Sequence, residues 1–231
     1  MSQRSITITA FLLLYTGTVF AAWPQIDLAV AGYFFHDGGF FGQSLAARAF
    51  RRFFFYLPVV VFAVMALAWA AVRFNWRFAF ISRLRKYAPS SRGLIFAAIT
   101  LALGPGLAVN GILKEHSGRP RPVHVQQFGG TAEFKPWWRI DGSCKRNCSF
   151  VSGEVSGGFW LLAPAALLPA PIRPAAMGIA LVAGVITAVG RVAFGGHFLS
   201  DTIMAALLTL LICQIAYQLL FRPDNPPNPG V

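Results

Sequence analysis

Charge is scarce in this chain. Of its 231 residues only 12% are Asp, Glu, Lys or Arg, about half the share found in water-soluble domains. A further 56% are hydrophobic, and Phe alone occurs 22 times. One soluble core cannot hide that much apolar surface, so the bilayer has to act as solvent. Cysteine is scarce too, with three residues. Cys213 lies in an apolar run and reads as a small packing residue. Cys144 and Cys148 share a polar loop and suit a short-range disulfide if that loop faces an oxidising compartment. Two cysteines fall short of the four ligands of a structural zinc site, and no metal is expected. The sequence shows no internal repeat, no soluble domain, and no basic stripe alternating with aromatics on a polar scaffold. That sets nucleic acid aside as a partner despite a net charge of +12. The positive charge suits anionic lipid head groups and phosphorylated substrates instead.

What is present is a series of six apolar stretches, which predicts an all-α integral membrane bundle of about six transmembrane helices. They run from about Ile6 to Trp23, Phe54 to Val72, Leu94 to Leu113, Val155 to Ala170, Ala175 to Val189 and Phe198 to Phe221. The first competes with a signal peptide. Ala21-Ala22-Trp23-Pro24 is a poor cleavage site and Arg4 is the only basic residue ahead of it, so a retained helix is expected. Gly104-Pro105-Gly106 predicts a kink in the third stretch. The fourth and fifth are short for a hydrocarbon core of about 30 Å, and a proline turn, Pro169 to Pro174, joins them. The chain is expected to form a single membrane domain over residues 1–222, with a disordered proline-rich tail over 223–231.

Basic residues in the short connections set orientation. One side would hold Arg4, Arg73, Arg77, Arg83, Arg85, Lys86, Arg92, Arg173 and Arg222; the other holds Arg48, Arg51, Arg52 and Arg191. Nine against four places both termini in the cytoplasm. The long Lys114–Glu154 loop then faces outward, with seven basic residues of its own. Those seven oppose the rule, which suggests that they serve something other than topology.

Alternating helices bring the ends of the third and fifth stretches to the same side as the starts of the fourth and sixth. Lys114, Arg121 and Arg191 would there form a cationic cradle, since guanidinium forks match phosphate oxygens and Lys adds a point charge. Ser152 and Gly153 open a helix and offer a hydroxyl and backbone N–H groups to an anion. His197 and Asp201 stand four apart, on one helical face. The carboxylate can fix one ring nitrogen and free the other as nucleophile or base.

The order K-x(6)-R-P, S-G, R-x(5)-H-x(3)-D resembles the three-part signature of the type 2 phosphatidic acid phosphatase family, which shares its core with vanadium-dependent haloperoxidases. Lys114, Arg121 and Pro122 match the first part, Ser152 and Gly153 the second, and Arg191, His197 and Asp201 the third. The resemblance spans about 94–220. It implies a metal-free, cofactor-free lipid phosphatase acting on an anionic phosphorylated lipid. His197 would attack phosphorus to give a phosphohistidine, Asp201 would orient it, and Lys114, Arg121, Arg191, Ser152 and Gly153 would hold the phosphate oxygens. The chain departs from the family at two places. Where the family usually reads P-S-G-H, this chain has Val151-Ser152-Gly153-Glu154, and where the family often has Ser before the third-part Arg, it has Gly190. The missing histidine normally protonates the leaving oxygen. Glu154 could do so only if burial raised its pKa, and it could equally be a helix-start carboxylate stabilised by the dipole. His116 or a water is the alternative donor.

The S-F-V-S-G-E form is similar to that of bacterial members resembling lipid A phosphatases. It makes a lipid A phosphate the preferred substrate, at the periplasmic face of a bacterial inner membrane. Phosphatidylglycerophosphate, phosphatidic acid and undecaprenyl pyrophosphate stay open, as does transfer to a lipid hydroxyl. A non-catalytic lipid-binding or transport protein is the rival from another class. Arg119, Arg139, Lys145 and Arg146 read as a solvated basic surface, with steering of an anionic head group as the alternative; Trp137 and Trp138 read as a membrane-interface anchor rather than a sugar-stacking platform, and Asp27 has no assigned role.

Overall fold

The computed structural model describes residues 2–76 and 85–221. The expected tail 223–231, and Arg77, Arg83 and Arg222 of the charge count, lie outside the described residues. Five helices are long and apolar enough to cross a membrane: α1 (Gln3–Ala22), α3 (Leu45–Arg73), α4 (Ser91–His116), α7 (Arg173–Ala193) and α8 (Leu199–Phe221). Short α2 (Gln25–Tyr33) follows α1 across Pro24. A two-stranded hairpin, β1 (Phe35–His36) and β2 (Gly39–Phe40), leads to α3, turning on Asp37 and Gly38, both at positive φ.

The fourth apolar stretch is two short helices, α5 (Gly153–Trp160) and α6 (Leu162–Ala166). Pro164 is one cause of the break, since it has no N–H to continue the ladder. α5 is the centre of the bundle. Every residue from Glu154 to Trp160 is buried, and α3, α4, α7 and α8 pack around it. Buried polar groups on it find partners on its neighbours: Trp160 Nε1 donates to Thr100 Oγ1 at 3.0 Å, and the Ser156 and Thr209 hydroxyls lie 2.5 Å apart. In hydrocarbon such pairs offset the cost of an unsatisfied group.

α4 changes winding where a kink is expected. From Ala102 to Leu113 its backbone is a π-helix containing Pro105, and Asn110 Nδ2 donates to the Pro105 carbonyl at 2.7 Å. The wider turn absorbs the proline while keeping the rod continuous to Lys114. α3 also carries a buried proline, Pro58.

The outward faces are apolar. Leu14, Ile179 and Leu219 are 72%, 71% and 79% exposed, and only lipid makes that surface favourable. Between helices, small residues allow close approach. A Cβ on Gly184 of α7 would meet the Phe159 ring at 2.9 Å. Gly184→Ala is therefore expected to cost about 1–3 kcal/mol through overpacking, read as a lower thermal midpoint in detergent. An unchanged midpoint would mean that α5 and α7 are not packed this tightly.

Candidate active site

The segment 117–152 covers one end of the bundle and carries a Cys144–Cys148 disulfide; Cys213 is free and buried. Trp137 is partly buried, stacks on Phe150 and donates through Nε1 to the Gly17 carbonyl at 3.1 Å, so it clamps this segment to α1. Trp138 is exposed.

His197 lies between α7 and α8 and is 1% exposed. Its Nδ1 is 2.6 Å from the Ser149 carbonyl oxygen, whereas the nearer Asp201 oxygen is 3.8 Å away. A carbonyl can only accept, so Nδ1 carries the hydrogen and Nε2 keeps its lone pair. The expectation that Asp201 itself takes a ring nitrogen needs correcting: a backbone carbonyl does so, and the carboxylate stands behind it. Burial holds the His197 pKa down at about 3, opposed by Asp201 and assisted by Arg191 and Arg121, so the imidazole is neutral at neutral pH. Asp201 is saturated with donors: Ser149 Oγ at 2.5 Å, the Phe198 N–H at 2.9 Å and Arg119 Nη1 at 2.5 Å.

Arg119 overturns its reading as solvated surface. It is 0% exposed. Its Nη2 donates to Asp27 Oδ2 at 2.7 Å, and its Nε donates to the Lys135 carbonyl at 2.9 Å. The Phe198 ring covers its face, with the guanidinium carbon 4.5 Å from the centroid. Asp27, buried on α2, also accepts from the Ser200 N–H at 2.8 Å and Ser200 Oγ at 2.6 Å. Burial pushes the Asp27 carboxyl up in pKa, while Arg119 and Ser200 work against that shift. The Arg119 guanidinium and the Ser200 N–H can only donate to Asp27, and donors of that kind favour its ionised form.

Arg191 is 3% exposed and closes α7. Its Nε lies 3.3 Å from Glu154 Oε2, and Arg51 Nε from α3 donates to Glu154 Oε1 at 2.9 Å. Neither Arg191 Nε nor Glu154 Oε2 completes a hydrogen bond among the described residues. Glu154 thus stands between two guanidinium groups, an arrangement that favours an ion-pair partner over the expected proton donor. Lys114 Nζ is 3.4 Å from Asn110 Oδ1. Arg121 is held by Asn147, with Nη2 donating to its side-chain oxygen at 2.8 Å and to its carbonyl at 3.0 Å. Burial first, then Arg51, lowers the Arg121 pKa. Ser152 caps α5, accepting from the Val155 N–H, and Gly153 lies against the Asn110 amide.

Gly190 departs from the family serine for a packing reason: a Cβ there would meet the Phe50 ring at 2.7 Å. His116 is exposed on the last turn of α4 and makes no hydrogen bond to this cluster among the described residues. A cleft of 370 Å³ opens between α3 and α4, with Arg51, Lys114, Asn147 and Glu154 at its polar end and Phe54, Pro58 and Leu101 along its apolar wall. A larger recess of 550 Å³ beside α1 and α8 is lined by apolar groups and Thr18, without a titratable side chain. The smaller cleft is the one of the two that carries charged groups; His197, Arg121 and Arg191 are not among its lining residues. Sequence reasoning missed Asn110, Asn147, Arg51 and the Asp27–Arg119 pair. An acid inside the apolar run Ile26 to Ala31 was the one available signal, since a buried acid requires a partner.

A membrane-embedded helical bundle with buried cations near a neutral imidazole suits phosphoryl transfer at a lipid surface. Residues 92–224 match the PAP2 superfamily. Curated proteins named lipid A 4'-phosphatase are similar along most of the chain. The protein from Francisella tularensis subsp. novicida is 33% identical, covering 96% of this chain and 98% of its own. That from Rhizobium leguminosarum is 35% identical, covering 84% and 87%. The crystal structure of a transmembrane PAP2-type phosphatidylglycerolphosphate phosphatase from Bacillus subtilis superposes with a TM-score of 0.62 at 17% identity. It covers 95% of this chain and 98% of that one, and it shows the fold. The chain belongs to the PAP2 superfamily and is a phosphomonoester-hydrolysing lipid phosphatase within it.

Proposed function

We propose that this enzyme removes a phosphate from lipid A, the 4'-phosphate being preferred, through a phosphohistidine on His197. The observation that carries the chemistry is the Ser149 carbonyl on Nδ1, 2.6 Å away, which leaves Nε2 free to attack. The similarity to proteins named for the lipid A 4'-phosphate carries the substrate. In the first step Nε2 bonds to phosphorus and the phosphorus–sugar oxygen bond breaks. The departing oxygen takes a proton from water, because Glu154 is engaged by Arg51 and Arg191 and His116 stands apart. In the second step water attacks phosphorus, the N–P bond breaks, and inorganic phosphate leaves. Lys114, Arg121 and Arg191, with Ser152 and Gly153 at the α5 start, hold the phosphate oxygens as charge develops. Asp201 supports the imidazole while it becomes cationic.

The site end of the bundle faces the periplasm in this reading and both termini are cytoplasmic. The excess of basic residues on the opposite connections supports that orientation, and an oxidising compartment suits the Cys144–Cys148 bond. The test is incubation of purified protein with lipid A, with mass spectrometry of the lipid and assay of free phosphate. Loss of one phosphate from the 4' position is expected. Release from phosphatidic acid but not from lipid A would sink the substrate assignment. Release from neither would sink the reaction.

A further inference from the structure

Two buried ions beside Asp201 have no part in the steps above. Asp27 and Arg119 are 1% and 0% exposed; Arg119 contacts the site's carboxylate directly, and Asp27 reaches it through Arg119. The guanidinium binds Asp201 Oδ1 through Nη1 at 2.5 Å and Asp27 Oδ2 through Nη2 at 2.7 Å. Ser200 ties the two together. Its hydroxyl accepts from Arg119 Nη1 at 2.9 Å and gives its single proton to Asp27 Oδ2 at 2.6 Å. A guanidinium only donates, which fixes the first direction, and with Asp27 ionised its oxygens only accept, which sets the second. Asp27 also lies outside the matched family segment, 92 positions from Arg119.

Charge decides what such a cluster does. Two carboxylates and one guanidinium sum to one negative charge. When Nε2 bonds phosphorus the imidazole turns cationic, with Nδ1–H still held by Ser149. Arg191 and Arg121 oppose that charge. A residual negative charge behind the ring stabilises it; a neutral Arg119–Asp201 pair would not.

We infer that Asp27 and Arg119 are positioning residues for phosphoryl transfer that act through charge: Asp27 offsets the Arg119 guanidinium so that Asp201 keeps its charge for His197. This rests on the phosphohistidine reading. It differs from a structural pin in one respect. A pin weakens whenever a member is lost, and weakens further when two are. An electrostatic device depends on the sum, so removing Asp27 and Arg119 together restores it.

The experiment compares full-length wild type, Asp27→Asn and the double variant D27N/R119Q in detergent, on a short-chain lipid phosphomonoester. Asn keeps the shape and one acceptor but loses the charge. D27N is expected to lower kcat about 10-fold, with KM within about threefold, and to slow the appearance of acid-labile phosphoenzyme equally. The double variant regains one net negative charge, and its kcat should return to within about fivefold of wild type. A D27N enzyme with wild-type kcat overturns the inference, as does a double variant no faster than D27N. If D27N fails to fold, the double variant alone decides. A kcat within about fivefold of wild type supports the inference, and a larger loss overturns it. No release by wild type removes the phosphatase reading and this inference with it. Full release by D27N removes the inference alone.

Discussion

Alanine at position 197 is expected to abolish turnover, with phosphate release falling by at least about 10⁴-fold. No other group described here combines burial, a fixed tautomer and a free lone pair. His197 is locked through Nδ1 by the Ser149 carbonyl at 2.6 Å, so only Nε2 can face phosphorus, and alanine offers nothing in its place. The substitution leaves the Ser149 carbonyl without its donor, costing about 1–3 kcal/mol. Thermal unfolding should therefore accompany the assay and show a lowered but cooperative transition. A second signature follows from the pKa. Unfolded chain takes a proton on this histidine near pH 6.5, whereas the folded protein does not until about 3, because burial disfavours the cation. Between those values the unfolded state binds more protons, so stability falls as pH drops. His197→Ala should flatten that part of the stability profile. Wild-type phosphate release by the variant would remove His197 from the reaction.

The sequence makes the outline of this protein legible because its strongest signal, hydropathy, reports directly on solvent. The runs at α1, α3, α4 and α8 are long enough to need a membrane, the fifth run reads as short yet α7 extends it to 21 residues, and all five helices are candidate spans. The fourth run was legible as apolar but not as broken, because a helix that ends at Trp160 and restarts at Leu162 keeps the composition of a continuous one. Motif spacing singles out Lys114, Arg121, Ser152, Gly153, Arg191, His197 and Asp201 as candidates. The reading of loop charges as solvated surface misled for Arg119, which sits in a polar loop among exposed cations, and whose partner Asp27 lies on a separate helix. Loop charges are solvated by default, so only the fold could show this one buried. The acceptor on His197 was beyond any sequence reading. It is a main-chain oxygen, which every residue possesses, and side-chain identity says nothing of where the chain turns it. Arg51 was read through topology, as a cation at the end of a span, and its ion pair with Glu154 joins positions 103 apart.

Replacing Arg191 with glutamine is expected to lower kcat/KM by about 10³-fold, the range for losing a guanidinium or an anion-hole donor that acts on transition-state charge. Arg191 is almost wholly buried, and its Nε stands 3.3 Å from Glu154 Oε2 without completing a hydrogen bond. That donor is free to swing to a phosphate oxygen. The loss should be larger than one contact implies. Without Arg191, Glu154 keeps only Arg51, and a carboxylate beside the cradle repels the incoming phosphate. R191Q/E154Q should consequently be faster than R191Q, since the repulsion goes with the charge. Glu154→Gln alone should tighten inhibition by inorganic phosphate, because Arg191 no longer divides its charge between two anions. Steady-state rates for the four proteins, with inhibition by phosphate, give the full cycle. If R191Q stays within about threefold of wild type, Arg191 binds Glu154 and nothing else, and the cradle reduces to Lys114 and Arg121.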